Sequence, residues 1–424
     1  MTGDRTAGGH RKLRVAVLLK TNDGGRWILP QVAELRRRGH EVVVVLPSGT
    51  GRLTAELTAR GVPVRNSPFD FRLRPTLGTL RGLWRLRRLI RALRPDVLNY
   101  HLYASALAAR LSTVGLAVRR AHMVAGPLYL ESPVIRPVER RLWRLDHVTI
   151  CGTDYTARLY GELGCPPDRR PVATCGVDTD HFDPVPPSGT ATRPVPPNGP
   201  LPPSVPRPRA TDLRAKARAE LGIAQDAFVA IMVAYVYPPK RLAYQGRGIK
   251  GHDVLLTAWR SFQARTPRAH LLLVGGGWTE NGETHRQELI DRFGVRDDPS
   301  VTWVESVPDV RPCYQAADVS ISPSLSEGHG ASVEAGSMGV PSIVSDAGGL
   351  PETVDGACGW VVPRGDATAL AEALTSAYRE FEGGKLANRG DLARQRVVRL
   401  FDNRVAAQRV ADVIEQIADG VRRQ

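Results

Sequence analysis

Residues 13–47 read LRVAVLLKTNDGGRWILPQVAELRRRGHEVVVVLP, and this stretch decides the fold. An apolar run over residues 13–19 ends in a glycine-containing turn, a helical pattern follows, and a second apolar run, EVVVVLP, begins at Glu41. Apolar runs without polar alternation are typical of strands that are buried on both faces. Two such strands joined through a helix predict a parallel sheet with a right-handed crossover.

The same alternation continues along the chain in two series. Further strand-like runs cover residues 95–100, 119–126, 147–152, 228–236, 270–277, 301–304 and 318–323. Helix-like segments cover residues 109–116, 253–265 and 284–294. We therefore predict an α/β protein with two Rossmann-like, doubly wound parallel-sheet domains that face each other across a cleft.

A chain of 424 residues exceeds what one hydrophobic core normally supports, which favours two domains. The segment between the two predicted domains is rich in proline and poor in large apolar residues, as expected of an extended linker. The predicted boundaries are a polar tail over 1–12, an N-terminal Rossmann-like domain over 13–184, the linker over 185–212, a C-terminal Rossmann-like domain over 213–395 and a C-terminal helix over 396–424 that packs back on the first domain. Ligands of such sheets bind beyond the carboxyl ends of the strands, so we expect a nucleotide site where the two domains face each other.

Composition restricts the partners. A net charge of +15, from 58 Lys and Arg against 43 Asp and Glu, attracts polyanions in general. The sequence has no zinc-finger spacing and no basic stripe interleaved with stacking aromatics, so nucleic acid is not predicted as a partner. The five cysteines are odd in number, widely spread and form no Cys-x-x-Cys pair, which predicts reduced, mostly buried thiols and no zinc site.

The distribution of apolar residues predicts a cytoplasmic protein. No uninterrupted apolar stretch reaches about 18 residues, and residues 1–12 are polar and lack the apolar core of a signal peptide.

The largest group of candidate ligand-binding residues lies in the segment PSLSEGHGASVEAGSMGVPSIVSDAGGLPETV, residues 323–354. It leaves a predicted strand, passes a glycine-rich turn and enters a short helix near residues 331–338, where free backbone N–H groups and the helix dipole suit a diphosphate. Glu327 and Glu334 supply acceptors for the paired hydroxyls of a ribose or a hexose. The alternative is that both glutamates merely cap and solvate the helix start.

Four sub-motifs occur in this segment in the order Pro-Ser-x-x-Glu-Gly-x-Gly, Glu-Ala, Gly-x-Pro and Asp-x-Gly-Gly-x-x-Glu. In this order they resemble the donor-site signature of family 4 glycosyltransferases, which have the GT-B fold. The resemblance implies that Glu327, with Gly328, His329 and Gly330, contacts the donor sugar, and that Glu334 holds the ribose hydroxyls. It also implies that the Gly348-Gly349 loop belongs to the donor site. One departure stands out: the family usually has seven residues between the two glutamates, and this chain has six.

A second cluster surrounds Lys250. Lys250-Gly251 and the following Leu255-Leu256 resemble the family's Lys-Gly-x-x-x-Leu-Leu-x-Ala signature at the opening of a helix. A lysine there would neutralise the donor diphosphate. The family also has an arginine just after the preceding strand, but this chain reads Ala-Tyr-Val-Tyr-Pro-Pro over residues 234–239 and then a longer loop. Arg241 in that loop is the weaker candidate, and solvated loop charges are the alternative.

Two features of the N-terminal half also match the family. Gly24-Gly25 after the first strand resembles its Gly-Gly loop, which lets the backbone approach the donor. Residues 175–184 resemble Asn-Gly-Val-Asp-x-x-x-Phe-x-Pro, with Cys175 in place of Asn, and close the first domain. Asp178-Thr179-Asp180 inside that segment imitates an Asp-x-Asp metal site, an alternative that the match to a domain-closing segment disfavours.

The usual N-terminal histidine of the family is missing. The family commonly carries a His-Gly pair after the fourth strand, where this chain has Ala125-Gly126. His101, His122 and Glu131 are the candidates to serve instead. We favour His101 as the second catalytic candidate beside Glu327, although a histidine at a strand end is as often structural.

A basic helix is predicted between Thr76 and Pro95. Its leucines, an isoleucine and Trp84 recur near helical spacing, with arginines concentrated on the other side. Such a helix lies on an anionic bilayer or packs on its own sheet, and the sequence leaves both open.

The resemblance as a whole implies a retaining, metal-independent transferase. It would move a sugar from a nucleoside diphosphate donor, without a cofactor, to a carbohydrate, lipid-linked or small-molecule acceptor, in cell-surface polysaccharide, glycoconjugate or natural-product biosynthesis. A sugar-nucleotide-binding protein or an epimerase of the same fold is the alternative. A nicotinamide or flavin enzyme is disfavoured because the glycine run at residues 275–277 lacks the third glycine of the dinucleotide fingerprint.

Overall fold

A computed structural model describes residues 11–184, 211–239 and 244–420. In these residues the chain forms twelve β-strands: β1 (Arg14–Leu19), β2 (Glu41–Pro47), β3 (Val64–Ser67), β4 (Val97–His101), β5 (Arg119–Val124), β6 (Val148–Cys151), β7 (Phe228–Val233), β8 (Ala269–Val274), β9 (Val301–Val304), β10 (Val319–Ser322), β11 (Ser342–Ser345) and β12 (Gly359–Val362).

Helices follow most of these strands. The α-helices of the described residues are α1 (Ile28–Arg37), α2 (Arg52–Ala59), α3 (Leu77–Leu93), α4 (Tyr103–Ser112), α5 (Ile135–Leu142), α6 (Asp154–Glu162), α7 (Thr211–Glu220), α8 (His252–Gln263), α9 (Glu280–Arg292), α10 (Arg311–Ala316), α11 (Ser332–Ser337), α12 (Ala367–Glu382), α13 (Leu386–Leu400) and α14 (Asn403–Asp419). Short 3-10 helices cover Trp143–Leu145, Pro167–Arg169, Tyr244–Gly246, Val295–Asp297 and Leu350–Thr353.

The strands form two six-stranded sheets, both fully parallel, in the orders β3-β2-β1-β4-β5-β6 and β12-β11-β10-β7-β8-β9. Counted within its own half, each sheet has the same doubly wound strand order. The predicted α/β class with two Rossmann-like halves is therefore confirmed. The strand order reverses between β1 and β4 and again between β7 and β10, and such switch points open a crevice beyond the strand ends.

The chain divides into two compact units, the first made of residues up to 176 and from 403 onward, the second of residues 177–402. The first sheet packs α1 and α14 on one face and α3 and α4 on the other. The second sheet packs α8, α9 and α12 on one face and α10 and α11 on the other. Each sheet is thus covered on both faces, which explains why its strands read as unbroken apolar runs.

The division differs from the predicted boundaries in three places. Residues 177–184 belong to the second unit, because the Val177 N–H donates to the Phe401 carbonyl at 2.7 Å and Ser337 Oγ donates to the Phe182 carbonyl at 2.7 Å. The predicted linker lies outside the described residues except for 211 and 212, which begin α7.

The third difference concerns the C-terminal segment 396–424, which we predicted as one helix. Residues up to Leu400 complete α13 in the second unit, and α14 then packs on α1 in the first. Glu415 on α14 accepts from Arg38 Nη1 at 2.8 Å and lies 2.8 Å from His40 Nε2, both pairs being largely buried.

All five cysteines are free; four are buried and Cys175 is partly buried, as predicted. No helix in the described part of the chain is long and apolar enough to cross a bilayer.

Candidate active site

Lys250 lies in the connection from β7 to α8, next to the loop that leaves β10. Gly251 follows it with φ +74°, and a Cβ atom there would lie 2.2 Å from the Pro323 carbonyl oxygen, so only glycine permits this close approach. The Leu325 N–H donates to the Ile249 carbonyl at 2.8 Å and joins the two segments. Both segments flank the switch point of the second sheet.

Lys250 Nζ forms an ion pair with Glu327 Oε2. Burial alone would lower the pKa of Lys250, but the Glu327 carboxylate raises it above its ordinary value, so the ammonium stays charged. Glu327 also accepts from the Gly328 N–H at 3.1 Å and from Ser324 Oγ at 3.5 Å. The structure thus brings Lys250 next to Glu327 and Gly328, although Lys250 and Glu327 are 77 positions apart in the sequence.

The predicted glycines surround the Glu327 backbone. Gly330 has φ +56°, and a Cβ atom there would lie 3.1 Å from Glu327 Cγ. The Gly349 N–H donates to the Glu327 carbonyl at 3.1 Å, and Gly348 before it has φ +59°. A side chain at Gly330 would crowd the Glu327 carboxylate, so this glycine keeps its surroundings open to a ligand.

His329 lies in the same loop with its ring turned toward the end of α13. Its Nε2 is 3.3 Å from Glu352 Oε2, and its ring meets the Phe401 ring edge-on at a centroid distance of 4.8 Å. These contacts fix the position of the loop that contains His329.

Glu334 lies in the first turn of α11, which has only six residues. Tyr314 Oη donates to Glu334 Oε2 at 3.2 Å and also lies 3.4 Å from the Ala331 carbonyl. Burial and the Glu334 carboxylate raise the pKa of Tyr314 well above its ordinary value, so the phenol keeps its proton and remains a donor. Tyr314 was missed in the sequence, because no motif marks it and it precedes Glu334 by 20 residues.

The remaining basic candidates lie in the β7–α8 connection. Arg247 Nε donates to Asp253 Oδ2 at 2.7 Å, which orients its guanidinium along the start of α8. Arg241 lies outside the described residues.

In the first unit, Gly24-Gly25 and His101 flank the other switch point. Gly25 has φ +87°, and a Cβ atom there would lie 2.4 Å from Leu19 Cδ2 at the end of β1. Trp27 Nε1 donates to His101 Nδ1 at 3.2 Å, which leaves the imidazole proton on Nε2. His101 is fully buried, and this burial lowers its pKa to about 3, so the ring is neutral in the folded protein.

His122, an alternative to His101, is buried in an ion network, here called the Arg110 network. Arg110 donates to both oxygens of Glu139 at 2.7 and 2.8 Å and to Asp146 at 2.5 to 3.1 Å, and His122 Nδ1 lies 3.2 Å from Arg110 Nη2. Burial lowers the pKa of His122 well below its ordinary value, and Arg110 lowers it further. Glu131, the other alternative, accepts from Tyr155 Oη at 2.9 Å.

The Asp178-Thr179-Asp180 triplet forms a turn. Asp178 Oδ1 accepts from the backbone N–H groups of Asp180 at 3.2 Å and His181 at 3.0 Å, and Thr179 Oγ1 donates to Asp402. Asp178 therefore caps this turn, and because residues 177–184 belong to the second unit, the prediction that the segment closes the first domain was wrong.

Comparisons with known proteins agree with this geometry. The sequence model described as Glycosyltransferase Family 4 matches residues 25–181, and the one described as Glycosyl transferases group 1 matches residues 239–380. D-inositol 3-phosphate glycosyltransferase 2 of Catenulispora acidiphila is 31% identical over 291 residues, which are 64% of this chain. The match spans 57% of that relative's length.

Solved structures agree over nearly the whole chain. A glycosyltransferase from Rickettsia africae ESF-5 superimposes with a TM-score of 0.74 at 17% identity, covering 97% of this chain and 100% of that one. Anabaena HepE in complex with UDP-glucose gives a TM-score of 0.72 at 17% identity, covering 95% and 100%. At this identity, both likenesses bear on the fold, and they confirm its two-domain Rossmann-like architecture.

Proposed function

Because the chain belongs to glycosyltransferase family 4 and has its GT-B fold, we propose that it transfers a sugar from a nucleoside diphosphate donor to an acceptor hydroxyl. The observation that carries the proposal is the Lys250–Glu327 ion pair among glycines at the switch point of the second sheet. A cation that is held ready by one carboxylate, and is open to a second anion, suits a diphosphate.

The pair also suggests how the donor would be bound. The donor diphosphate would compete with Glu327 for Lys250, since both present anionic oxygens to the same ammonium group. Released from Lys250, the Glu327 carboxylate would accept hydrogen bonds from the sugar hydroxyls. Binding of the leaving group would thereby switch on recognition of the transferred sugar.

In this proposal, Glu334 binds the ribose of the donor. Tyr314 Oη donates to one oxygen of the Glu334 carboxylate and helps to fix its rotamer, and the carboxylate would accept a hydrogen bond from a ribose hydroxyl. Gly24-Gly25 would bring the backbone close to the donor, and His101 would act from the buried end of β4 by holding Trp27.

We extend the proposal to retention of configuration and to independence from metal ions. Lys250 would neutralise the leaving phosphate, and a departing phosphate oxygen would help to accept the acceptor proton. The solved structure of HepE with UDP-glucose supports a donor of this class, and the relatives named for D-inositol 3-phosphate add a small phosphorylated acceptor to the candidates. Cell-surface polysaccharide or glycoconjugate biosynthesis in the cytoplasm is the setting that we propose.

The first test is thermal unfolding of the protein with UDP, GDP, TDP and ADP, in the absence of metal. A ligand at about 100 times its dissociation constant adds roughly 2.7 kcal/mol, which shifts the midpoint by several degrees. We expect a shift with at least one diphosphate, and we expect Glu334→Ala to lose it. Glu372→Ala, an exposed glutamate on α12, is the matched control and should keep the shift. No shift with any diphosphate would overturn the proposal.

Transfer itself is tested with the donor that this panel selects. Nucleotide release that depends on an added acceptor, D-inositol 3-phosphate included, separates a transferase from a sugar-nucleotide-binding protein or an epimerase. Proton NMR of the product reports the anomeric configuration, and activity in the presence of EDTA reports on metal ions. Inversion of the configuration, or loss of activity that Mg²⁺ restores, would contradict the corresponding part of the proposal.

Peripheral contact with an anionic membrane is part of the proposal, and α3 carries it. Leu86 and Ile90 point into the core, but Leu77, Leu80 and Trp84 are 70%, 63% and 56% exposed. The prediction that the apolar residues and the arginines occupy opposite sides of the helix was therefore wrong for these three. We call them, together with Arg81, Arg85 and Arg88, the α3 surface.

The α3 surface has the composition of an interfacial membrane contact. At helical spacing the three apolar side chains form a stripe; Arg81 and Arg85 each follow one of its members, and Arg88 lies one turn after Trp84. The guanidinium of Arg88 lies 4.9 Å from the centre of the Trp84 ring. Helix α3 contains no acidic residue, so its arginines would face lipid phosphates without competition from the helix itself.

Co-sedimentation with vesicles tests this contact. We expect binding to phosphatidylcholine vesicles that contain phosphatidylglycerol, weaker binding at high salt, and loss of binding on Leu80→Ser/Trp84→Ser. Val361→Ser, at an exposed valine of the second unit, is the control. Equal binding of the double variant would contradict the role of α3.

A further inference from the structure

Three aromatic residues, Tyr235, Tyr237 and Trp278, lie beyond the carboxyl ends of β7 and β8, and we call them the aromatic platform. The segment that carries the tyrosines continues β7 as an extended strand: the Val236 N–H donates to the Gly276 carbonyl, and the Trp278 N–H donates to the Val236 carbonyl, each at 2.9 Å. Alternate side chains of an extended segment point to opposite sides. Val236 is buried in the core, so the two tyrosines share the other side.

The rings form a rigid but accessible surface. The Trp278 ring lies edge-on to Tyr235 at a centroid distance of 5.0 Å and is stacked on Tyr237 at 5.9 Å. Tyr235 is 40% and Trp278 43% exposed, although aromatic rings of this size normally bury most of their area. Among the described residues, the indole N–H of Trp278 has no acceptor.

The turn that carries Trp278 is fixed by its own hydrogen bonds. The Gly276 N–H donates to Ser306 Oγ at 3.1 Å, and the Gly277 N–H donates to Glu283 Oε2 at 3.0 Å. A Cβ atom on Gly275 would lie 2.2 Å from the Ala234 carbonyl oxygen, so the two loops are in close contact. A ligand that stacks on Trp278 would therefore meet a preformed surface and would not have to order it.

The platform adjoins the Lys250–Glu327 pair through Tyr237. Lys250 Nζ lies 6.0 Å from the centre of the Tyr237 ring and also forms an ion pair with Glu327. The ammonium thus connects a carboxylate with the aromatic rings. A nucleoside diphosphate sugar has the same order of chemistry: sugar hydroxyls, diphosphate and planar base.

We propose that the aromatic platform binds the nucleobase of the donor by stacking on Trp278 and Tyr235, an inference that rests on the proposed donor role of Lys250. The family resemblance implies an arginine after this strand, and the tyrosines of this chain replace its charge with aromatic area. Every base has a π-face, so the platform provides affinity more than choice among bases. The indole N–H remains as a donor for a carbonyl or ring nitrogen of the base.

Calorimetric titration of the full chain tests the platform. UDP, GDP, ADP and TDP are titrated into the wild-type protein, and the tightest of them is used for the variants. Base–aromatic stacking contributes about 1–3 kcal/mol, so we expect Trp278→Ala to weaken binding of that nucleotide about 5- to 150-fold. Trp278→Phe should keep most of the affinity. Inorganic pyrophosphate, which has no base, should bind all three proteins equally.

Two controls separate stacking from other effects. Trp84→Ala removes a tryptophan of similar exposure from the first unit and should leave nucleotide affinity unchanged. Tyr235→Ala removes the second ring without touching the turn at Gly276 and Gly277, and should weaken the nucleotide as well.

The outcomes distinguish the platform from the donor site. If the wild type binds a nucleotide and Trp278→Ala and Tyr235→Ala bind it equally well, the platform proposal is overturned and the donor site stands. If Trp278→Ala weakens pyrophosphate as much as the nucleotide, the ring positions Lys250, and stacking is again overturned. If the wild type binds no nucleotide, both proposals are overturned.

Discussion

The Arg110 network of the first unit and the Lys250–Glu327 pair of the second are built from similar groups but are completed differently. Arg110 is fully buried and donates to two carboxylates. Tyr160 Oη donates to Glu139 at 2.7 Å, and Tyr100 Oη donates to Asp146, so each oxygen of the two carboxylates accepts at least one hydrogen bond. Burial alone would lower the pKa of Arg110, but the carboxylates of Asp146 and Glu139 raise it well above its ordinary value.

The Lys250–Glu327 pair, by comparison, retains unused hydrogen-bond donors. Its two side chains are about one-fifth exposed, and a lysine ammonium has three donors, of which Glu327 takes one. The charged groups of the Arg110 network have buried hydrogen-bond partners, which a ligand would have to displace, so they stabilise the fold. The neighbouring His122 Nε2 is buried without a hydrogen-bond partner among the described residues. An unsaturated pair retains capacity for a substrate. The difference teaches that the residues at a charged cluster do not distinguish structure from function, whereas the number of hydrogen bonds left over does.

The largest effect that we predict is on stability, at Arg110. Arg110→Met leaves the two buried carboxylates without their cation, and breaking a buried pair in this way costs about 3–5 kcal/mol. Urea denaturation measures the loss. Arg268→Met, which removes a pair that is about 70% exposed, should change stability by less than about 1 kcal/mol. A loss of that small size at Arg110 as well would erase the contrast between the two regions.

The second prediction concerns Glu327, where we expect a large loss of catalytic efficiency and little change in stability. Glu327→Gln keeps the shape of the side chain but removes the charge opposite Lys250, so we expect kcat/KM for the donor to fall about 100- to 1,000-fold, the range for one preorganised electrostatic contact. The free energy of unfolding should change by less than about 1 kcal/mol, because the pair is partly exposed. Glu372→Gln is the control. A large stability loss with intact activity would assign the pair to the structure.

The sequence allowed the fold to be predicted because strands buried on both faces produce unbroken apolar runs, as in β2 and β8. It did not allow the domain boundary to be placed correctly, because residues 177–184 are held by long-range contacts with the second unit, such as the Arg394–Asp183 ion pair at 2.7 Å and the hydrogen bond from Ser337 Oγ to the Phe182 carbonyl. The return of α14 to the first unit was expected, but its start at Asn403 was not.

Within the site, the motif glycines and glutamates could be named from spacing, but their partners could not. Lys250 and Glu327 are 77 positions apart, and only the neighbouring positions of β7 and β10 in the sheet bring them together. The Arg110 network was not predicted for the same reason. Long-range pairing depends on sheet order, which periodicity does not reveal.

The third prediction concerns the pH dependence of stability and the histidine of the first unit. The pKa of His101 is about 3 in the folded protein and about 6.5 when unfolded, so the unfolded state takes up the proton first as the pH falls. The stability contribution is complete above pH 6.5 and is lost progressively between pH 6.5 and about 3. Between pH 7 and 5.5 this amounts to about 1 kcal/mol.

Urea denaturation of wild type and His101→Asn at pH 7 and pH 5.5 measures this contribution. Asn places an acceptor where Nδ1 accepts from Trp27 but does not titrate, so the variant should lose about 1 kcal/mol less over this range. An equal pH dependence in the two proteins would mean that His101 takes up a proton in the folded state.

The smallest predicted effect is also the sharpest comparison, because the same atom is removed in both regions. Tyr314→Phe and Tyr160→Phe each delete a fully buried phenol oxygen that donates to a glutamate, at 3.2 Å to Glu334 and at 2.7 Å to Glu139. One such hydrogen bond contributes about 0.5–1.5 kcal/mol. Tyr314→Phe should raise the donor KM about 2- to 10-fold with kcat little changed, since Glu334 loses the contact that orients it toward the ribose. Tyr160→Phe also removes the partner of Tyr129 Oη at 2.7 Å, so it should lower the free energy of unfolding by at least this amount and leave the donor KM unchanged. If both substitutions lowered stability alone, Glu334 would belong with the saturated cluster, and the ribose role would pass to another acceptor of the second unit.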